Sequence, residues 1–142
     1  MKSLLKIGLF SAALLMHASP VLAADADAAK MPSSERVISY TDVRQKLAQP
    51  SGVTILDLRR NSDYAADNVT MPGAQRFDPD KIAEWAGALP KDKEILLFCA
   101  HGRSISNASV DYLAKNGYKA RLVPGGFDAW KDAGGATVAK PQ

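Results

Sequence analysis

Five short apolar runs, each separated from the next by a helix-like stretch or a tight turn, constrain the fold of this chain more than any other feature. They are Val37-Ile38-Ser39, Val53–Asp57, Ala74–Phe77, Glu94–Phe98 and Arg121-Leu122-Val123. Val53–Asp57 and Glu94–Phe98 are short and apolar at successive positions, as strands covered on both faces are. The intervening segments read as helices with their own punctuation. Thr41 is placed to cap a helix from Asp42 to Leu47, and Asn61 or Ser62 to cap a short turn through Asp63-Tyr64-Ala65-Ala66. Asp78-Pro79 combines a capping residue with proline at the first helical position and opens a helix through Ile82 and Trp85. Ile105, Ala108, Tyr112 and Leu113 share a face of a helix closed by Asn116-Gly117, and Pro124-Gly125-Gly126 turns the chain into a last helix holding Phe127 and Trp130. This alternation predicts an α/β fold, a mostly parallel five-stranded sheet with helices on both faces. Trp85 and Trp130 read as packing residues.

The ends of the chain read differently. Met1–Lys6 is a basic start followed by an apolar run from Ile7 to Met16, and Val21-Leu22-Ala23 offers the small or aliphatic residues of a cleavage site. Residues 1–23 are therefore expected to be an export signal, with bacterial periplasm as the destination. The apolar run is well short of the ~20 residues that span a bilayer, so stable membrane association after cleavage is not expected. Residues 24–36 read as a flexible leader, 37–134 as the single domain, and 135–142 as a frayed tail. Losing residues 1–23 removes Lys2 and Lys6 and no acid. The 18 basic residues fall to 16 against 15 acidic ones, a net charge of about +1. Such a chain has no electrostatic case for nucleic acid or anionic lipid.

Cys99 is the only cysteine, so no intrachain disulfide can form, although the signal points to an oxidising compartment. Of two histidines, His17 leaves with the signal and His101 stays two residues from Cys99. One cysteine and one histidine cannot make a structural zinc site, which takes about four ligands. Neither a metal nor another cofactor is expected.

Cys99 follows the most buried-looking strand and precedes a helix, where ligands sit in parallel α/β folds. The loop Ala100-His101-Gly102-Arg103-Ser104 carries little bulk and leads into a helix N-terminus. Amides of such a loop can converge on an anion, helped by the helix dipole, and Arg103 and His101 add side-chain donors. Lowering a thiol's pKa raises the thiolate fraction but lowers its intrinsic nucleophilicity, so the two effects largely cancel. The loop's main service is then to bind an anionic sulfur donor and hold the persulfide it leaves. The bland reading stands beside this one: a cysteine at a strand end is often only packing, and a loop histidine is often only solvated.

Four segments in order resemble the rhodanese family. Leu56-Asp57-Leu58-Arg59, with Asp63-Tyr64 after it, is similar to the family's strand-end Asp-x-Arg signature. Met71-Pro72-Gly73-Ala74 is similar to its Pro-Gly-Ala turn. Cys99-Ala100-His101-Gly102 resembles the opening of its Cys-x-x-Gly loop, and Gly125–Trp130 its closing Gly-Gly-x-x-x-Trp. Physically, Asp57 at a strand end can fix the next turn by accepting amides. Arg59 can pair with Asp63 or add a cation near the site, and the structural role is the expected one. The resemblance implies a rhodanese-like fold, a Cys99 persulfide, thiosulfate or a similar anion as donor, and cyanide or a thiol as acceptor. The loop departs from the common Cys-x-x-Gly-x-Arg-Ser pattern, since Arg103 and Ser104 sit one place early. It is closer to a subgroup reading Cys-x-x-Gly-x-x-x-Ser, matched by Cys99, Gly102 and Ser106.

Two other functions compete. Phosphatase or arsenate-reductase chemistry on a related fold needs Cys-x5-Arg so that arginine can fork onto the oxyanion, and position 105 is isoleucine. A non-catalytic module that binds a partner or relays sulfur is the alternative that the irregular loop leaves open.

Overall fold

A computed structural model of the chain describes residues 35–142. The segment read as an export signal, 1–23, and the leader as far as residue 34 lie outside the described residues. Glu35 and Arg36, at the leader's end, form a turn, and Arg36 pairs with Asp111 on the domain. The elements run α1 (Tyr40–Ala48), β1 (Val53–Asp57), α2 (Asn61–Ala66), β2 (Val69–Thr70), β3 (Ala74–Arg76) and α3 (Ile82–Trp85). They continue with β4 (Glu94–Phe98), α4 (Ser104–Lys115), β5 (Ala120–Leu122), α5 (Gly126–Asp132) and β6 (Val138–Ala139). Among the described residues no helix is long and apolar enough to cross a membrane.

Four strands form a parallel sheet in the order β3-β1-β4-β5. The two central strands show why their sequences are apolar throughout. In β4, Ile95 and Leu97 join the core under α3 and α4, while Leu96 and Phe98 join the core under α1 and α5. In β1, Leu56 faces the first and Val53 and Ile55 the second. Alternate side chains point to opposite faces, and both faces are roofed.

The expected fifth strand shrinks to one bridge, Val37 to Leu122, held by Ile38 N–H to the Leu122 carbonyl (3.1 Å) and Leu122 N–H to the Arg36 carbonyl (2.7 Å). The reason is the next residue. Ser39, not Thr41, caps α1: its Oγ accepts the Asp42 amide at 3.1 Å and donates to Asp42 Oδ2 at 2.8 Å. That three-residue spacing starts the helix early and ends the strand. It also brings Tyr40 into α1, where its hydroxyl donates to the Pro124 carbonyl (2.7 Å) and its ring meets Trp130 edge-on. Two smaller expectations also shift. Asn61 opens α2 rather than capping it, with no side-chain cap at Arg60, and Asp78 caps a 3-10 turn, Pro79–Lys81, ahead of a four-residue α3.

The last residues do not fray. β6 pairs antiparallel with β2, and the buried Trp130 explains the return: its indole N–H donates to the Ala136 carbonyl at 2.9 Å. A buried indole needs such an acceptor, and the tail supplies it.

Candidate functional site

In the β1–β4 register Asp57 stands opposite Phe98, so the chain leaves both central strands side by side at the carboxyl edge of the sheet. Leu58 N–H extends the pairing to the Phe98 carbonyl (2.8 Å). One residue later the loop that starts at Cys99 faces the segment that starts at Arg59.

The loop's path is set by α5. The Phe127 amide donates to the Cys99 carbonyl (2.8 Å) and the Asp128 amide to the Ala100 carbonyl (3.1 Å). With both carbonyls turned toward α5 and every peptide trans, the amides of Ala100 and His101 point the other way. Among the described residues the amides of Ala100, His101, Gly102 and Arg103 donate to no protein acceptor. The first amides of α4 have none by construction. The loop thus presents the free N–H groups of Ala100 and His101 on the side away from α5, beside the N-terminus of α4, which suits negative charge.

This grip requires two glycines. A Cβ on Gly126, at φ +69°, would lie 2.5 Å from the Cys99 carbonyl oxygen and from the Gly102 nitrogen; one on Gly102, at φ +64°, would lie 2.6 Å from the Gly126 nitrogen. Gly102 is placed as a packing partner of α5 rather than on the cleft wall.

Cys99 is 4 % exposed and lies at the base of a cleft of about 180 Å³, whose walls include Arg60, Asp63, His101, Arg103 and Ser104. Ala100 lines the same cleft. Ser106 is buried and holds the thiol directly. Its Oγ accepts the Cys99 amide at 3.1 Å and donates to Cys99 Sγ at 2.9 Å. Side chains in a helix lean toward its N-terminus, so one at the third residue of α4 reaches back over the loop. His101 is well exposed and its Nδ1 lies 3.0 Å from Asp128 Oδ2.

Asp57 and Arg59 sit behind the loop. Both are buried, and Arg59 Nη2 meets Asp57 Oδ2 at 2.5 Å while Nε lies 2.9 Å from Oδ1. The Thr70 hydroxyl (2.8 Å) and the Arg59 amide (3.2 Å) complete the carboxylate's partners. Arg59 also donates to the Val69 carbonyl at 3.0 Å and lies over the Phe127 ring, 4.4 Å from its centroid. Its expected partner Asp63 is not the one observed. Asp57 is nearer along the strand end, and a buried guanidinium requires a buried carboxylate. Asp67 completes the surroundings, with Arg59 Nη1 at 3.6 Å and Lys131 Nζ at 2.6 Å. The hydrogen bond from Lys131 holds the Asp67 carboxyl below the usual range, and the same contact raises the Lys131 ammonium.

Sequence reasoning assigned neither Arg60 nor Ser106 to the site. Arg60 was within reach, because two parallel strands with aligned ends bring the residues after Asp57 to those after Phe98. Ser106 was visible as a motif position, but which hydroxyl touches the sulfur depends on where α4 begins. Among the described residues no group of three or more His, Cys, Asp or Glu side chains is arranged to hold a metal ion.

Known proteins are similar to this chain over most of the described domain. The model of the rhodanese-like domain matches residues 39–133. Thiosulfate sulfurtransferase GlpE of Pseudomonas fluorescens is 33 % identical over 81 residues, covering 56 % of this chain and 72 % of that protein. GlpE of Shewanella oneidensis is 28 % identical over 102 residues, covering 71 % of this chain and 97 % of that one. A crystal structure of a rhodanese-like domain protein from Staphylococcus aureus superposes with a TM-score of 0.62 at 29 % identity, covering 75 % of this chain and 99 % of that one. With the strand-end cysteine loop gripped by the Gly-Gly turn, the chain belongs to the rhodanese-like domain family.

Proposed function

We propose that the protein is an exported sulfurtransferase that moves sulfane sulfur from an anionic donor to a thiol or cyanide acceptor through Cys99. In the first half-reaction the Cys99 thiolate attacks the outer sulfur of thiosulfate. A bond forms between Cys99 Sγ and that sulfur, the S–S bond of thiosulfate breaks, and sulfite leaves with the electron pair. In the second, the acceptor attacks the outer sulfur of the persulfide and Cys99 departs as thiolate. Neither half needs an outside oxidant.

One observation carries the reading: the single thiol lies at the base of a cleft, followed by residues 100–103, whose amides have no protein acceptor among the described residues. Arg60 and Arg103 place guanidinium N–H donors at the rim, with Asp63 lining the same cleft. Ser106 can donate to the sulfur in both thiolate and persulfide states. The relatives named as thiosulfate sulfurtransferases support the same chemistry. Export through residues 1–23 is part of the proposal, and periplasmic fractionation of the full chain tests it.

A second reading, a relay or binding module without efficient turnover, is favoured by the near-burial of Cys99 and by the loop's departure from the family's common Cys-x-x-Gly-x-Arg-Ser pattern. Intact-mass measurement after incubation with thiosulfate separates the two. The expected outcome is a gain of about 32 Da, one sulfur, removed by cyanide and absent in Cys99→Ser. Thiosulfate:cyanide turnover equal in native and Cys99→Ser protein sinks the enzyme. Loading without turnover identifies a relay.

A further inference from the structure

A second hollow adjoins the Cys99 cleft. It runs between the Pro79–Lys81 turn, α3 and α4, measures about 380 Å³, and shares Arg60, Ser104 and Ile105 with the cleft. Its volume is in the range of sites that take organic ligands, far more than cyanide or thiosulfate requires. Its walls combine apolar side chains, Ile82, Ile105 and Ala108, with the hydroxyls of Ser109 and Tyr112.

Ser109 is the telling residue. It is 4 % exposed, and its hydroxyl has no hydrogen-bond partner among the described residues. No fully buried side-chain oxygen among those residues is left without a partner, so the Ser109 oxygen keeps contact with the hollow it lines. A hydroxyl nearly withdrawn from water and unpaired among the described residues is set to bond something that enters the groove.

The charges indicate what enters. Arg60 Nη1 lies 3.7 Å from Asp80 Oδ2, and Arg103 and Asp63 stand at the adjoining cleft. The four charges cancel, so the groove offers no field for a polyanionic small thiol. Apolar walls beside hydrogen-bonding hydroxyls suit a peptide, with a side chain on Ile82 and Ile105 and its backbone at Ser109.

We propose that this groove seats the sulfur acceptor, and that the acceptor is a cysteine-bearing segment of another protein with an apolar residue beside the cysteine. The inference rests on the sulfurtransferase reading and extends it to the acceptor. With the apolar neighbour in the groove, the acceptor thiol, deprotonated to solvent, attacks the outer sulfur. A new acceptor S–S bond forms as the Cys99 S–S bond breaks, and the electron pair returns to Cys99.

The test uses terminally blocked peptides, one with leucine after the cysteine and one with aspartate. Discharge of persulfidated protein is timed with each peptide and with cyanide, in native protein, Ala108→Glu and Ser109→Ala. Ala108 is exposed on α4, so a longer side chain there fills the groove without entering the core. The leucine peptide is expected to discharge the native protein about ten times faster than the aspartate peptide. Its rate relative to cyanide falls about ten-fold in Ala108→Glu and about three-fold or more in Ser109→Ala. No preference between the peptides, or an unchanged ratio in Ala108→Glu, overturns the proposal. The same peptides are also equilibrated with the unloaded protein in a thiol–disulfide buffer, and the Cys99–peptide mixed disulfide is quantified by mass. Failure to load from thiosulfate defeats only the sulfur chemistry, because the mixed-disulfide preference still decides what the groove binds.

Discussion

Cys99 is held at two atoms by one side chain: Ser106 Oγ accepts the Cys99 amide and donates to Sγ. A hydrogen bond to a charged acceptor contributes about 1.5–3 kcal/mol, so its loss should be felt in the rate of sulfur loading. Ser106→Ala is expected to slow single-turnover loading from thiosulfate by about ten-fold or more, and Ser106→Thr, which keeps the hydroxyl, to recover most of it. Rates followed by intact mass, with urea unfolding as a control, check this. Equal effects of both substitutions would assign Ser106 to packing alone. Asp57 and Arg59 act differently, behind the loop and out of the cleft. Their strand-end position was legible as a constraint on the next turn, but the partner of Arg59 was not. The sequence places Asp57, Asp63 and Asp67 all within reach, and only burial decides among them.

Between elements, the decisive contact is α5 against the Cys99 loop. The Phe127 and Asp128 amides take the loop carbonyls, and the Gly126 backbone lies where any Cβ would strike Cys99 and Gly102. Gly126→Ala forces both a left-handed conformation on an alanine and a displacement of the loop, neither relieved by a flexible neighbour. Destabilisation of about 2–4 kcal/mol is expected, together with loss of sulfur loading in the protein that remains folded. Urea midpoints and thiosulfate loading measure the two effects; native-like values of both would show that α5 does not set the loop. The same element explains the ordered tail, since Trp130 in α5 fixes residue 136 and so delivers β6 to β2.

Across the whole molecule, Lys131 in α5 is tied to Asp67 after α2, joining segments distant in sequence beside the site. The hydrogen bond lowers the carboxyl of Asp67 and raises the ammonium of Lys131. A lowered carboxylate contributes stability that is present above its ordinary value of 3.8 and lost as pH falls through the folded value. A raised ammonium contributes stability that is present below 10.5 and lost as pH rises through its folded value. Lys131→Met is therefore expected to be less stable than native protein near neutrality, with the gap closing as the pH is taken to about 2. Urea unfolding across that range reads it, and a gap that stays constant would show that the pair carries no linked proton.

Local chemistry in the sequence settled the α/β alternation, the two central strands and the position of Cys99 at a strand end. Apolar runs, capping residues and glycine turns act over a few residues and need no distant partner to be read. Tertiary structure alone decided which carboxylate neutralises Arg59, which serine reaches the sulfur and whether the last strand forms. Each of those depends on how the sheet and helices pack, because burial leaves a charge, a hydroxyl or an indole N–H only the partners that the packing brings beside it.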